Sequence, residues 1–425
     1  MGAVGGDDKL QVQYITEIPN EIMKKWIVSL FLVAVTASLL LVLLPGRQYV
    51  VLVSLDSFRW DYDSMYETPF LDSIAEEGVK AASLVSSYPT KTFPNHYSIA
   101  TGLYPDHHGL INNTFYAPDL DMVYRMGDRD MVQNGDFYQG EPVWVTARKQ
   151  GLVTASMFWV GSEAPAGGMH PDYWSVYDGT IPYGARIDSV INWLSMPVNK
   201  RPRFITLYFD EPDGTAHSYG PVSPETGSVA QSLDSLMGVL VKRLKETPVR
   251  RRVNLIVLSD HGMAEVDPDK SVNLWEVIPE RYIEHCYGGN PVYQVKVAEG
   301  FADSVIAIVD RTAGIKGWLK DDVPSHYHWG THPRIPEVLI EAEESWNVVW
   351  VPRTDYRRGS RGVHGYDPAN RDMHGIFYAT GPRFRVGVET PSFANVDVYN
   401  IICRILKIDP APNDGDEEVP GMVLR

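Results

Sequence analysis

Gln48-Tyr49-Val50-Val51-Leu52-Val53-Ser54-Leu55-Asp56 is a near-continuous apolar run that stops on a carboxylate. Such a run reads as a strand buried on both faces, as in a parallel sheet covered by helices. Ligands of open α/β sheets gather outside the carboxyl ends of the strands, which is where Asp56 stands. Further on, Pro89-Thr90-Lys91-Thr92-Phe93-Pro94-Asn95-His96 sets a hydroxyl just ahead of an expected helix over Asn95 to Thr101. Amides at a helix N-terminus favour an oxyanion. The pair reads as Asp56 holding a metal that activates Thr92 as a nucleophile. The plainer alternative for this stretch alone is a loop cap and a turn residue.

Downstream the same alternation repeats. Helices are expected over Thr68 to Ala82, Glu141 to Lys149, Ile187 to Leu194 and Ser228 to Lys245. Strands are expected over Leu152 to Phe158, Phe204 to Phe209 and Val253 to Ser259. Strands alternating with helices predict a doubly wound, mostly parallel α/β sheet with helices on both faces. Val292 to Ala298, Ser304 to Asp310 and Glu337 to Ala342 read as a small strand–helix–strand insertion, and the segment after Pro410 as an extended surface tail.

Before the first strand, residues 1–25 are polar and end in Lys24-Lys25, and residues 26–44 carry no charge. Nineteen helical residues at about 1.5 Å each span roughly 28 Å, the thickness of a hydrocarbon core. The run is too long, and its polar leader too extended, for an ordinary cleaved signal. A transmembrane helix is therefore expected, with residues 1–25 as a cytosolic tail and 48–425 as the catalytic domain. The lysine pair favours a cytosolic amino terminus, hence a single-pass type II protein with its catalytic domain extracellular or lumenal. The net charge of −16 argues against nucleic-acid backbone binding and leaves an anionic small substrate open. Cys286 and Cys403 are the only cysteines, too few for a cysteine-based zinc ribbon and enough for one disulfide or two buried thiols.

Two more expected strands end on aspartates. After Phe209 comes Asp210-Glu211-Pro212-Asp213-Gly214-Thr215-Ala216-His217, and after Ser259 comes Asp260-His261-Gly262. Far along, His364 lies in a glycine-flanked loop. A parallel sheet would gather these groups at one edge, and carboxylate with imidazole suits zinc or a similar ion. Asp213 and His217 are four apart and suit one ion, which favours Asp213 over Asp210. Asp260 and His261 either share an ion across a turn or flank two.

These pieces, with Leu55-Asp56-Ser57-Phe58-Arg59, Thr101-Gly102-Leu103-Tyr104-Pro105, His107-His108-Gly109-Leu110-Ile111-Asn112-Asn113-Thr114 and Phe158-Trp159-Val160-Gly161-Ser162-Glu163, run in the order of a known family. The chain resembles the nucleotide pyrophosphatase/phosphodiesterase family of the alkaline phosphatase superfamily, over about residues 48–415. The resemblance implies two zinc ions, one on Asp56, Thr92, Asp260 and His261, the other on Asp213, His217 and His364. It implies Thr92 as nucleophile, Asn113 as partner to the phosphate oxygen, Phe93 and Tyr177 as walls that stack on a base, and Tyr208 lining the pocket. The expected activity is hydrolysis of nucleotide phosphodiester and pyrophosphate bonds with release of nucleoside 5'-monophosphates. A phospholipid or choline-phosphodiester hydrolase on the same scaffold is the alternative. A non-catalytic binding protein would be marked by a missing ligand, and all seven positions are filled. The sulfatase motif, Cys or Ser followed by x-Pro-x-Arg, does not occur around Thr92. Asn112 opens a sequon beside Asn113 and is expected to be unmodified.

Overall fold

In a computed structural model, which describes Gly2, Ser29, residues 46–352 and residues 360–425, the opening run forms strand β1 (Tyr49–Leu55), buried at every position. Its alternate residues face different cores. Val50 and Leu52 pack with helix residues Ile99, Val398 and Ile402, and Val51, Val53 and Leu55 pack with Leu71, Leu233 and Met237. This two-sided burial is why the sequence shows no polar alternation. A one-residue slip would draw Asp56 toward the apolar layer, where an unpaired charge is strongly disfavoured.

β2 (Val79–Ala81), β3 (Thr154–Met157), β4 (Phe204–Phe209) and β5 (Val253–Leu258) join the same sheet. Next comes a four-stranded antiparallel sheet of β6 (Ile283–Gly289), β7 (Val292–Val297), β8 (Ile315–Leu319) and β9 (Val338–Ala342), in the order β6-β7-β9-β8. β10 (Phe377–Thr380) and β11 (Val388–Thr390) complete the main sheet, whose order is β11-β2-β10-β5-β1-β4-β3. β3, β4, β1 and β5 are mutually parallel, and β10 runs antiparallel to both its neighbours. The fold is thus the expected mostly parallel α/β sheet, and the carboxyl ends of β1, β4 and β5 lie side by side.

The principal helices are α1 (Pro69–Glu76), α2 (Thr92–Thr101), α3 (Tyr183–Ser195), α4 (Asp213–Tyr219), α5 (Pro224–Leu244) and α6 (Asp397–Leu406). Two expectations are corrected and one is extended. The helix expected over Thr68 to Ala82 stops at Glu76 and gives way to β2. At Gly78 a Cβ would stand 2.0 Å from the Ala379 carbonyl oxygen, so only glycine lets the chain cross β10 this closely. The strand–helix–strand insertion is present as β7, a helix over Ala302–Val309, and β9. Two strands that were not expected, β6 and β8, widen it to four strands, and both carry glycine and charged residues inside them, which hid them in the sequence. The segment after Pro410 is not an extended surface tail. Its end forms a helix, Val419–Val423, and Val419, Val423 and Leu424 are buried in the main core.

Cys286 and Cys403 are both free thiols. The chain separates into Met1–Arg47 and Gln48–Arg425, and the site lies wholly in the second unit. Apart from Ser29, the expected membrane helix over 26–44 lies outside the described residues. Among the described residues no helix is long and apolar enough to cross a membrane.

Candidate active site

β1 delivers Asp56 to the carboxyl edge, and Ser57 follows in the left-handed region at φ 62°. That turn aims the Ser57 N–H at Asp260 Oδ1, 3.2 Å away, and lets Ser57 Oγ donate to the Gly262 carbonyl at 3.0 Å. A non-glycine residue in this region is uncommon and is sustained here by both bonds. Past the end of β5 the chain turns instead of extending, so Asp260 and His261 do not diverge: His261 Nε2 lies 3.1 Å from Asp260 Oδ2 and 3.5 Å from Asp56 Oδ1. Gly262 makes this turn fit, since a Cβ there would meet the Asp372 carbonyl oxygen at 2.2 Å.

Thr92 is the first residue of α2, not a residue ahead of it, so its hydroxyl stands directly at a helix N-terminus. Its Oγ1 is 3.2 Å from His261 Nε2. Asn95 fastens the turn: its amide donates to the carbonyls of Pro89 and Lys91 and accepts the Ser87 N–H. Asp213 opens α4, and His217 follows one turn on, with Nε2 3.5 Å from Asp213 Oδ1. His364 Nε2 stands at the same 3.5 Å from Asp213 Oδ1, and its ring stacks on His261 at 3.7 Å between centroids. Asp210, by contrast, accepts from Arg186.

Each imidazole has one nitrogen assigned elsewhere. Nδ1 of His217, His261 and His364 faces the carbonyls of Gly362, Gly262 and Thr90 at 2.7, 2.9 and 2.8 Å. A carbonyl only accepts, so each Nδ1 carries the proton and each Nε2 presents a lone pair inward. Thr90 holds the His364 loop further, its Oγ1 accepting the Gly365 N–H and donating to the Tyr366 carbonyl.

The centre is short of positive charge. Asp56 Oδ1, Asp213 Oδ1 and Asp260 Oδ2 are buried without a hydrogen-bond partner. Burial, then the charges of Asp260 and Asp213, holds the Asp56 carboxyl well above the usual range, with the Tyr208 hydrogen bond opposing. Burial pushes His261 and His364 down, so both are neutral at pH 7. Orphaned carboxylate oxygens facing neutral imidazole lone pairs are the donor set of a divalent metal site. Two groups of side chains meet that requirement geometrically: Asp213, His261 and His364, and Asp56, Asp260 and His96. The first differs from the expected division, because His261 lies within reach of both sets.

A cavity of about 270 Å³ opens beside Thr92, with Phe93, Phe158, Trp159, Tyr177 and Tyr208 among its walls. Phe93 and Tyr177 both line it. The Phe93 N–H donates to Asn113 Oδ1 at 3.0 Å, which turns the Asn113 amide nitrogen away from that bond and frees it for another acceptor. Tyr208 does more than line the wall: its hydroxyl donates to Asp56 Oδ2 at 2.5 Å. Asn112 is buried and accepts the Asn113 N–H, which leaves no room for a glycan. Arg59 is buried against Asp61 and the Met263 carbonyl, a structural role. Sequence reasoning missed His96, which is buried against Asp260 and Thr92; the only signal was its place one turn after Thr92.

A hydroxyl at a helix N-terminus, set among carboxylates and imidazoles at the carboxyl edge of a parallel sheet, defines an α/β protein of the alkaline-phosphatase type. Residues 50–367 match the type I phosphodiesterase / nucleotide pyrophosphatase family, and the chain belongs to it. It is 36% identical over 379 residues to ectonucleotide pyrophosphatase/phosphodiesterase family member 1 of Homo sapiens, covering 86% of this chain and 40% of that protein. It is 37% identical over 376 residues to venom phosphodiesterase CdcPDE of Crotalus durissus collilineatus, covering 86% of this chain and 45% of that protein. The chain therefore spans less than half the length of these curated relatives. Among solved structures, murine ectonucleotide pyrophosphatase / phosphodiesterase 5, an inactive variant in complex with AMP, superposes with a TM-score of 0.83 at 29% identity, covering 88% of this chain and 100% of that one.

Proposed function

We propose that this chain is a metal-dependent hydrolase that cleaves phosphodiester and pyrophosphate bonds of nucleotides through Thr92 and releases nucleoside 5'-monophosphates. The observation that carries the reading is the meeting of three unpartnered carboxylate oxygens with neutral imidazoles around the Thr92 hydroxyl. Asp56, Thr92, Asp260 and His261 would hold one zinc ion, and Asp213, His217 and His364 the other. Bound divalent ions supply the lowered hydroxyl pKa and the charge neutralisation that phosphoryl chemistry needs.

The chain's own residues then act as follows. The α2 N-terminus and its fastening by Asn95 hold Thr92 Oγ1 in place for in-line attack on phosphorus. Oγ1 forms a phosphothreonine ester as the leaving oxygen departs, and water later cleaves that ester to free the monophosphate. Asn113, pinned through its oxygen, offers its amide N–H groups to the charge that builds on a phosphate oxygen. Loss of such a donor typically costs about 3 kcal/mol. Phe93 and Tyr177 stack on the base, a contact that tolerates every base. The AMP bound by the murine relative agrees with a nucleotide in this cavity. The aromatic lining of this cavity of about 270 Å³ also suits a base better than an acyl chain.

The deciding assay compares a nitrophenyl ester of a nucleoside monophosphate with a lysophospholipid. Turnover of the first alone is expected, and preference for the second would establish the lipid reading instead. The uncharged run over 26–44 supports a single-pass type II arrangement with the catalytic domain outside the cytosol. Sealed microsomes test it: the catalytic domain is expected to resist added protease, and its digestion without detergent would refute the arrangement.

A further inference from the structure

His96 is fully buried one turn into α2, and both its ring nitrogens are engaged. Nδ1 lies 2.9 Å from the Thr92 carbonyl oxygen and 3.2 Å from Asp260 Oδ2. Both neighbours are acceptors, so Nδ1 carries a proton, which it donates to the Thr92 carbonyl with Asp260 Oδ2 alongside. Nε2 lies 2.9 Å from Ser54 Oγ on β1. Nδ1 carries a proton and Nε2 is taken up by Ser54 Oγ, so neither nitrogen is free to ligate, and His96 does not belong among the ligands despite its closeness to Asp56 and Asp260. The ring cannot slide. Trp159 and Tyr208 meet it edge-on at 4.9 and 5.2 Å between centroids, and Trp159 Nε1–H donates to the His96 carbonyl at 2.8 Å.

We propose that His96, its tautomer set by the Thr92 carbonyl and its ring held by Ser54, is a positioning residue that couples the nucleophile turn to Asp260, so that the Thr92 hydroxyl and the Asp260 carboxylate keep one fixed separation. No other side chain described here touches both the Thr92 backbone and a carboxylate of the centre. The Asp260 oxygen it faces is one of the three without a hydrogen bond of regular geometry. Without His96 that oxygen would be free to rotate away from the centre, and the first turn of α2 would lose a tie to β5. The role rests on the metal-dependent reading above, and its test has a readout that does not depend on activity.

Two substitutions separate the two ring nitrogens. His96→Asn puts an amide nitrogen where Nδ1 stands, and His96→Gln puts one nearer to Nε2. Zinc affinity is read on the full chain by competition with a chromogenic chelator, turnover with the nitrophenyl nucleotide ester, and folding by thermal melting. His96→Asn is expected to stay within about threefold of the parent in zinc affinity and kcat. His96→Gln is expected to lose roughly 10- to 100-fold in both with KM unchanged, the range seen when partners of metal ligands are removed. Equal behaviour of the two variants, both intact or both impaired, overturns the proposal. Should either fail to fold, Ser54→Ala decides: a fall of at least threefold in zinc affinity is expected, and an unchanged affinity overturns it. If the nucleotide ester is not a substrate of the parent, the reading of function fails while the zinc comparison still decides the role of His96.

Discussion

Tyr208→Phe separates two roles for one side chain. The ring packs between His96 and Tyr177, at 5.2 and 6.0 Å between centroids, and lines the cavity, while the hydroxyl donates to Asp56 Oδ2. Phenylalanine keeps the ring and removes only the donor. A hydrogen bond to a charged acceptor contributes about 1.5–3 kcal/mol, so its loss corresponds to roughly 10- to 150-fold in an equilibrium constant. That loss falls on Asp56, whose other oxygen already lacks a partner, and hence on the ability of this carboxylate to hold an ion. Zinc competition on the parent and the variant should show the affinity down by about this factor, with kcat following and the KM for a nitrophenyl nucleotide ester within about threefold. Intact zinc affinity with a raised KM would refute the reasoning and leave Tyr208 as a base-stacking wall alone.

Three further outcomes are expected. Thr92→Ala should abolish turnover while zinc still binds, and chelation should remove the parent's activity reversibly; near-parental turnover in Thr92→Ala would remove the covalent mechanism. Phe93→Ala keeps the N–H that donates to Asn113 and loses only the ring, so KM for nucleotides should rise roughly 5- to 150-fold, in line with about 1–3 kcal/mol for base–aromatic stacking; an unchanged KM would exclude stacking on this ring. Away from the site, burial raises the Asp397 carboxyl to about 6, against its hydrogen bonds from the Asp416 and Ala394 N–H groups. A carboxyl raised in this way binds more protons folded than unfolded, so its stabilising effect is complete below about pH 4 and fades as pH rises through 6. Two units correspond to at most about 3 kcal/mol. The stability of Asp397→Asn relative to the parent should therefore grow by up to that amount between pH 4 and pH 7 in urea titrations, and a flat difference would contradict the shift.

The sequence by itself determined the sheet class, because a strand buried on both faces must be apolar at nearly every position, as Tyr49–Leu55 and Val253–Leu258 are apart from Ser54 and Asn254. It also marked the aspartates that close those strands, since a charge ends a buried run. Boundaries were less legible. Gly78 ends a helical pattern through a backbone contact with Ala379, three hundred positions away, and the outer strands β6 and β8 of the insertion, with glycine and charged residues inside them, pair only because their partners are present. The buried tail past Pro410 was equally hidden, since its few apolar residues matter only where a cleft receives them.

Within the site, residue types and spacing named the candidates, but only the tertiary structure decided which nitrogen of each imidazole faces inward, that Tyr208 grips Asp56, and that His96 stands between Thr92 and Asp260. Hydrogen bonds join groups by position in space, and a chain that brings residues 56, 96, 208 and 260 together leaves no trace of that meeting in their order. Burial acts in the same way: the carboxylates lack partners because strands and helices exclude water around them, a property of the packed molecule and not of any local stretch.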